Sequence, residues 1–245
     1  RSGNKLFTNT YVIMAMRLLG MFGGFVFWAV AARLVNVDQV GLASGILASA
    51  ALVARLSQLG FGQVLVRYAP GASDSSRLLN LLLTATAGIA ALLAGVFLMG
   101  LELWSPALRP VCESPVMIGI FLVTAVSLSL SNLLVWQFVA HRMPVYSLAK
   151  NVVQILLSVA LVLVLVLAAP DSRSLVFASM LSILISVIVT VRVFVPKVSR
   201  NYRFRFVLPV RLHISETAYA LSNYVSDILR TLPHNLLPLL MINVL

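Results

Sequence analysis

The sequence predicts an all-α, polytopic membrane protein, and three observations lead to that fold class. First, six evenly spaced apolar stretches each have about the 20 residues that a helix needs to cross a bilayer core. Second, 60% of the residues are hydrophobic and 10% are charged, whereas a soluble domain carries about 25% charged residues. Third, the connections between the stretches are short. A soluble helical bundle would need polar stripes on its helices, and these are missing.

In chain order, the apolar stretches predict six transmembrane helices and the start of a seventh. The predicted spans are residues 9–32, 40–62, 78–103, 116–140, 148–169 and 175–195, with a seventh from 214 onward. We expect residues 1–195 to form a six-helix lobe, 196–212 a basic cytoplasmic linker, and 213–245 the truncated start of a second lobe. The chain opens without methionine and stops inside an apolar run, so we expect a fragment of a longer protein.

The distribution of positive charge predicts the orientation. The net charge is +11. With a cytoplasmic amino terminus, the inner segments hold twelve of the eighteen lysines and arginines, Lys150 among them, the outer loops three, and the spans three. This bias is the positive-inside rule, so the basicity reports topology in a plasma (inner) membrane and gives no sign of a nucleic-acid partner. The basic, aromatic segment 200–206 either lies on anionic membrane lipids or only sets the topology.

Two arginines inside adjacent spans are the first candidates for a functional site. Arg17 and Arg55 both lie roughly 10–12 Å inside the predicted inner edge, where a charge is costly. On the second span, small and polar side chains at helical spacing predict one face, made of Ser44, Ala48, Ala51, Arg55, Gln58 and Gly62. Either the two arginines snorkel to the inner headgroups, or they line a water-filled cavity open to the inside.

Uncharged polar residues mark other spans. The fifth span carries Asn151, Gln154 and Ser158 at helical spacing, and the fourth carries several hydroxyl residues with Asn132 nearby. These residues form interhelical hydrogen bonds or contact a substrate. The Gly20–Gly24 and Gly41–Gly45 pairs predict tight helix packing.

In the seventh span a charged pair leaves two interpretations open. Asp227 and Arg230 are three residues apart, so either they neutralise each other on one helix face or Arg230 faces the cavity. Prolines at positions 233 and 238 would break this helix beside Arg230.

Several absences narrow the substrate class. The first six spans contain no Asp or Glu, whereas a cation exporter or proton-coupled pump needs an embedded carboxylate. Embedded arginines instead predict an anionic substrate, and their forked geometry suits phosphate oxygens. The sequence has no phosphate-binding glycine loop and no metal-ligand cluster, so we expect no cofactor, no metal and no ATP hydrolysis.

Two segments carry a resemblance to a known family. Residues 27–41 contain a small-residue-rich helix end followed by Arg33, Asp38 and Gly41, and residues 56–68 contain a Leu-Gly-Phe turn followed by an arginine. This pattern resembles the polysaccharide-transporter flippases of the multidrug/oligosaccharidyl-lipid/polysaccharide exporter superfamily. The sequence departs from that pattern at Val40, where the family has an aromatic residue.

The resemblance implies two six-helix lobes that form a V around a central cavity, of which this chain holds the first. It implies a non-enzymatic flippase that moves polyprenyl-pyrophosphate-linked oligosaccharide to the outer leaflet by alternating access, for cell-surface polysaccharide synthesis. Other polysaccharide-assembly membrane proteins would be partners. The resemblance implies a cationic cavity, and no family motif marks its residues. Our hypothesis is that Arg17, Arg55 and Arg230 contact the pyrophosphate and that the polar lining is Gln58, Asn132, Asn151, Gln154 and Asp227. The alternatives are a multidrug or other small-molecule exporter of the superfamily, or a polytopic polyprenyl-dependent glycosyltransferase.

Overall fold

The computed structural model describes residues 2–71, 74–199, 202–205, 207 and 224, and these residues form helices joined by short turns without any strand. Six helical stretches are long and apolar enough to cross a membrane, which confirms the predicted fold class. The helices are α1 Ser2–Leu34, α2 Val37–Leu56, α3 Phe61–Tyr68, α4 Ser75–Met99, α5 Leu101–Trp104, α6 Pro115–Ala140, α7 Pro144–Ala168, α8 Ser172–Val189 and α9 Val195–Val198. A π-helical turn, Thr190–Phe194, joins α8 to α9, so that the sixth span runs over Ser172–Val198.

Helix starts in this lobe are set by short-range signals. The Asp74 carboxylate accepts a hydrogen bond from the backbone N–H of Arg77 and caps α4. The Asp171 carboxylate accepts one from the N–H of Ser174 and caps α8. Prolines open α6 and α7 at a position where the missing N–H has no intrahelical partner in any case.

The second predicted span is corrected by the structure. We expected one helix over 40–62, but α2 ends at Leu56 and α3 begins at Phe61. The turn between them puts Leu59 at φ 42° and Gly60 at φ 76°, a left-handed conformation that glycine adopts without strain. Gln58 and Gly62 therefore do not continue the helix face of Arg55, and that part of the face prediction was wrong.

Four other predicted spans differ by several residues at an end, the fifth among them, since α7 begins at Pro144 and not at residue 148. The first helix begins at Ser2, earlier than residue 9, and the third ends at Met99 before the short α5. The sixth passes through the π-helical turn and continues past residue 195 to Val198. Pro196 explains that turn, because proline has no N–H to donate to the carbonyl four residues earlier, at Arg192, and the helix deforms around the gap.

The spans pack so that α6 and α8 are the most enclosed, whereas α1 and α7 pack on each other and expose most of their surface. Successive spans alternate in direction. We call the end at which α1, α4 and α7 begin the linker end, and the opposite one the far end. Buried apolar side chains form one core at each end, centred on Phe121 at the far end and on Phe138 at the linker end. Buried serines on α2, α6 and α8 lie between the two cores.

Candidate functional site

A cavity of about 360 Å³ opens between the peripheral helices α1 and α7 and the inner helices α2, α6 and α8. Its polar wall comes from α7 and α8, where amide and hydroxyl side chains face the open space. Its other walls are small or apolar. The residues that line the cavity include Gly20, Gly24, Phe27, Trp28, Leu47, Ala51, Asn151, Gln154, Ser158, Ser179 and Ser182.

Two glycines of α1 give the cavity its width. Among the described residues, no atom outside the helix itself would lie within 4 Å of a Cβ atom added at Gly20 or Gly24, so the described helices do not pack tightly on this pair as predicted. Gly23 makes the close contact instead, since a Cβ there would lie 2.6 Å from Cγ1 of Ile155 on α7. Gly23 thus lets α1 approach α7, and its two neighbours on the helix leave the cavity open.

The predicted polar face of α7 lies on the cavity. Asn151, Gln154 and Ser158 all line it, as their helical spacing indicates. The Ser158 hydroxyl donates to the carbonyl of Ile155 at 2.9 Å, so its hydrogen is engaged within the helix. The two amides are therefore the groups of this face that are available to a ligand.

Lys150 lies behind those amides and was not predicted as a site residue. It is 2% exposed, and its Nζ donates to Oε1 of Gln154 at 3.2 Å and to Oδ1 of Asn151 at 3.4 Å. Because the ammonium occupies both amide oxygens, the amide NH₂ groups remain as donors toward the cavity. Lys150 thus places a positive charge behind this wall and orients its hydrogen-bond donors toward the cavity.

The sequence prediction counted Lys150 among the cations of the inner segments. The missed signal is Pro144, which starts α7 four residues earlier than the predicted start at residue 148. With that start, Lys150 falls in the second turn of the helix, one turn before Gln154.

Arg17 and Arg55 are exposed and do not form the cavity wall. Each lies one turn beyond it: Arg17 is three residues before Gly20 on α1, and Arg55 is four residues after Ala51 on α2. Each therefore continues a lining face of its helix, roughly 4.5–6 Å further along the axis. Since α1 begins and α2 ends at the linker end, both arginines extend the cavity toward the same end as Lys150.

The other predicted site residues lie elsewhere. Gln58 is buried in the turn after α2, where its Nε2 donates to the backbone carbonyl of Ser129 at 2.8 Å. Asn132 is half-buried on α6. Neither lines the cavity. Asp227 and Arg230 fall outside the described residues.

The far end of the cavity is apolar and aromatic. Phe27 and Trp28 meet edge to face with ring centroids 5.2 Å apart, and both line the cavity. No carboxylate lines the cavity within the part of the chain that the structure describes. The site therefore changes along its length, from cations at the linker end through amide donors to aromatic rings at the far end.

Comparison with known proteins gives one match. A family model described as "Polysaccharide biosynthesis protein" matches residues 6–244, which is nearly the whole chain. No curated protein and no solved structure matches the chain.

Proposed function

The chain belongs to the polysaccharide biosynthesis protein family, and from this we propose that it provides the first lobe of a flippase for lipid-linked oligosaccharide. The substrate is a polyprenyl-pyrophosphate-linked oligosaccharide, which moves from the inner to the outer leaflet. The amino terminus and the linker end face the cytoplasm, in agreement with the distribution of lysine and arginine along the chain. The protein is a transporter and carries out no bond chemistry on its substrate.

The cavity between α1 and α7 is the observation that carries this proposal. It lies within a multi-pass membrane protein and has no carboxylate in its described lining. Three cations lie just outside that lining toward one end: Lys150 behind the amides, and Arg17 and Arg55 one turn beyond. A cavity with embedded positive charge suits an anionic headgroup, because guanidinium and ammonium groups bind phosphate oxygens by charge-assisted hydrogen bonds. The amide donors of Asn151 and Gln154 suit the oxygens of the first sugars or of the pyrophosphate itself.

Transport then follows by alternating access. In the state that is open at the linker end, Arg17, Arg55 and the charge of Lys150 attract the pyrophosphate from the inner leaflet. Rocking against a second lobe closes that end and opens the far end. An inside-negative potential favours outward movement of the anion, by about 2.3 kcal/mol per charge per 100 mV. Release at the far end is helped by the loss of cationic contacts along the cavity.

The test uses the full-length protein in liposomes with a labelled pyrophosphate-linked oligosaccharide lipid, following exposure of the label to an enzyme added outside. We expect Arg17→Ala combined with Arg55→Ala to abolish transport, and the two Arg→Lys changes together to restore part of it. The matched control is Arg33→Ala combined with Arg173→Ala, which removes the same charge at the far end.

Equal activity of the two double-alanine variants would remove Arg17 and Arg55 from the anion site. Failure of well-folded wild-type protein to transport the lipid, together with export of a small molecule, would instead favour the drug-exporter alternative.

A further inference from the structure

A second cavity lies on the outside of the lobe, separate from the site described above. It is an apolar groove of about 720 Å³ between α4, α6, α8 and the linker. Ser182 faces the central cavity and Leu184 lines the groove, and two residues along a helix rotate a side chain by about 200°. The groove therefore lies on the opposite face of α8 from the central cavity.

The groove runs from the linker into the membrane-spanning part of the lobe. From Arg192 in the π-helical turn to Leu184 on α8, the groove follows the sixth span for eight residues, or about 12 Å. Its walls at this depth are aliphatic, with Leu83, Leu130 and Ile188 among them. An aliphatic groove at the depth of lipid tails is suited to an acyl chain.

One polar group in the groove has no partner among the residues that the structure describes. Oγ1 of Thr84 is buried, makes no hydrogen bond with any described residue, and belongs to a side chain that lines the groove and is 8% exposed. A hydroxyl in such a position is normally paired. A ligand with an ester carbonyl next to its acyl chain would supply the missing acceptor.

The linker closes the mouth of the groove with arginines. Asn80 on α4 holds the linker in place through two hydrogen bonds. The Tyr202 hydroxyl donates to Oδ1 of Asn80 at 2.7 Å, and Nδ2 of Asn80 donates to the carbonyl of Arg203 at 2.8 Å. The backbone that follows is not helical. Phe204 and Arg203 line the groove, whereas Arg203 and Arg205 line an adjoining cavity of about 570 Å³. Arg203 thus borders both spaces.

The adjoining cavity is strongly cationic. Arg77, Arg203 and Arg205 line it, and Asp74 is the one carboxylate among its described lining residues. That carboxylate already accepts the N–H of Arg77 at the start of α4. The mouth of the groove adds Arg192. An anion placed between the groove and the cavity would therefore meet several guanidinium groups, which bind phosphate oxygens in a bidentate manner.

We propose that the groove and the adjoining cavity together hold one anionic glycerophospholipid of the leaflet at the linker end. An acyl chain fills the groove, the ester region meets Thr84, the phosphate lies between Arg192 and Arg203, and the headgroup points toward Arg77 and Arg205. The position on the opposite face of α8 separates this lipid from the proposed transport path. The bound lipid holds the linker on the lobe.

The test measures lipid binding by the full-length protein in detergent, with native mass spectrometry and thermal unfolding as readouts. We expect phosphatidylglycerol to bind and to raise the melting temperature, and phosphatidylethanolamine to do neither. Arg203→Gln combined with Arg205→Gln should weaken phosphatidylglycerol binding at least tenfold. Ala87→Phe, which fills the groove without touching the arginines, should weaken it as well. Arg142→Gln is the control, since Arg142 is exposed on the turn between α6 and α7 and lines neither space.

Equal binding of the two phospholipids, or unchanged binding by the double variant, would overturn the proposal. Tighter binding of a polyprenyl pyrophosphate than of phosphatidylglycerol would also overturn it, because the groove would then be a substrate site. So would displacement of phosphatidylglycerol by inorganic pyrophosphate as effective as displacement by the lipid itself. Because binding is measured without transport, failure here leaves the flippase proposal standing, and loss of transport alone leaves the lipid site standing.

Discussion

Replacing Lys150 by methionine removes the buried charge behind the amide wall while keeping an unbranched side chain of similar length. The Lys150 ammonium lies 3.2 Å from Oε1 of Gln154. An anion that accepts a hydrogen bond from the amide nitrogen would lie within about 9 Å of that ammonium. At an effective dielectric constant of 20, two unit charges at this separation attract each other by about 2 kcal/mol. We therefore expect capture of the lipid-linked substrate to weaken roughly 20–30-fold.

The fold should tolerate the change. The ammonium donates two charge-assisted hydrogen bonds, each worth about 1.5–3 kcal/mol, but burying it costs several kcal/mol, so an apolar replacement of similar volume is close to neutral. Thermal unfolding of the Lys150→Met protein should therefore resemble that of the wild type. The unfolding measurement therefore distinguishes weaker substrate binding from a loss of stability of the lobe.

The assay is the initial rate of label exposure in liposomes, measured over a range of lipid-linked oligosaccharide densities. The control is Lys197→Met, which removes an exposed lysine at the same end of the lobe. Lys150→Met should need about 20–30-fold more substrate for the same rate, and Lys197→Met should change the rate little. A folded Lys150→Met protein with wild-type substrate dependence, or equal losses in both variants, would refute the role given to Lys150.

Three further predictions follow from the geometry. Gly24→Leu should fill the cavity and lower transport at least tenfold without destabilising the lobe, because no described atom outside the helix lies within 4 Å of a Cβ there. The Gly88→Leu protein should transport normally, since Gly88 on α4 has equally open surroundings among the described residues but lies outside the cavity. Gly62→Ala should destabilise the lobe by about 1–3 kcal/mol in thermal unfolding, since its Cβ would lie 2.5 Å from Cδ1 of Trp136. An unchanged melting temperature would contradict that contact. Burial raises the pKa of Tyr202 to about 12, because the docked linker favours the neutral phenol. This contribution to linker docking is therefore complete below about pH 10 and is lost as the pH rises from about 10 to 12. An ultraviolet titration should show this late tyrosinate step in the wild type and not in Tyr202→Phe.

The sequence was sufficient for the fold class and for one wall of the cavity. Length, hydropathy and charge bias are properties of whole spans, so small errors at helix ends did not affect the prediction of six spans. The α7 face was predictable because Asn151, Gln154 and Ser158 follow a helical period within one uninterrupted helix. A pattern within one helix needs no knowledge of its neighbours.

The remaining features depended on contacts between helices. Continuous hydropathy did not reveal the break after Leu56, which rests on two residues with positive φ and on the hydrogen bond between the hydroxyls of Ser57 and Ser129. Gly20 and Gly24 have the spacing of a packing motif, and only the position of α7 against Gly23 shows that they face open space. The predicted start at residue 148 put Lys150 in the first turn of the fifth span, where it was counted with the inner cations, and the start at Pro144 puts it one turn deeper into the helix.

In the proposed flippase mechanism, the polarity of the cavity has a consequence for the direction of transport. A conformational change can be driven by a ligand only if the two states bind it with different strength. Of the described cations near this cavity, Arg17, Arg55 and Lys150 lie toward the linker end, and the far end of the cavity presents Phe27 and Trp28. An anion therefore binds best while the linker end is open and its charge is near Arg17, Arg55 and Lys150. Opening the far end must replace those contacts with water, so release requires solvent to enter past the aromatic pair. Hence polar substitutions at Phe27 or Trp28 should change the rate of release more than the affinity of capture, which single-turnover and equilibrium measurements on the same liposomes can separate.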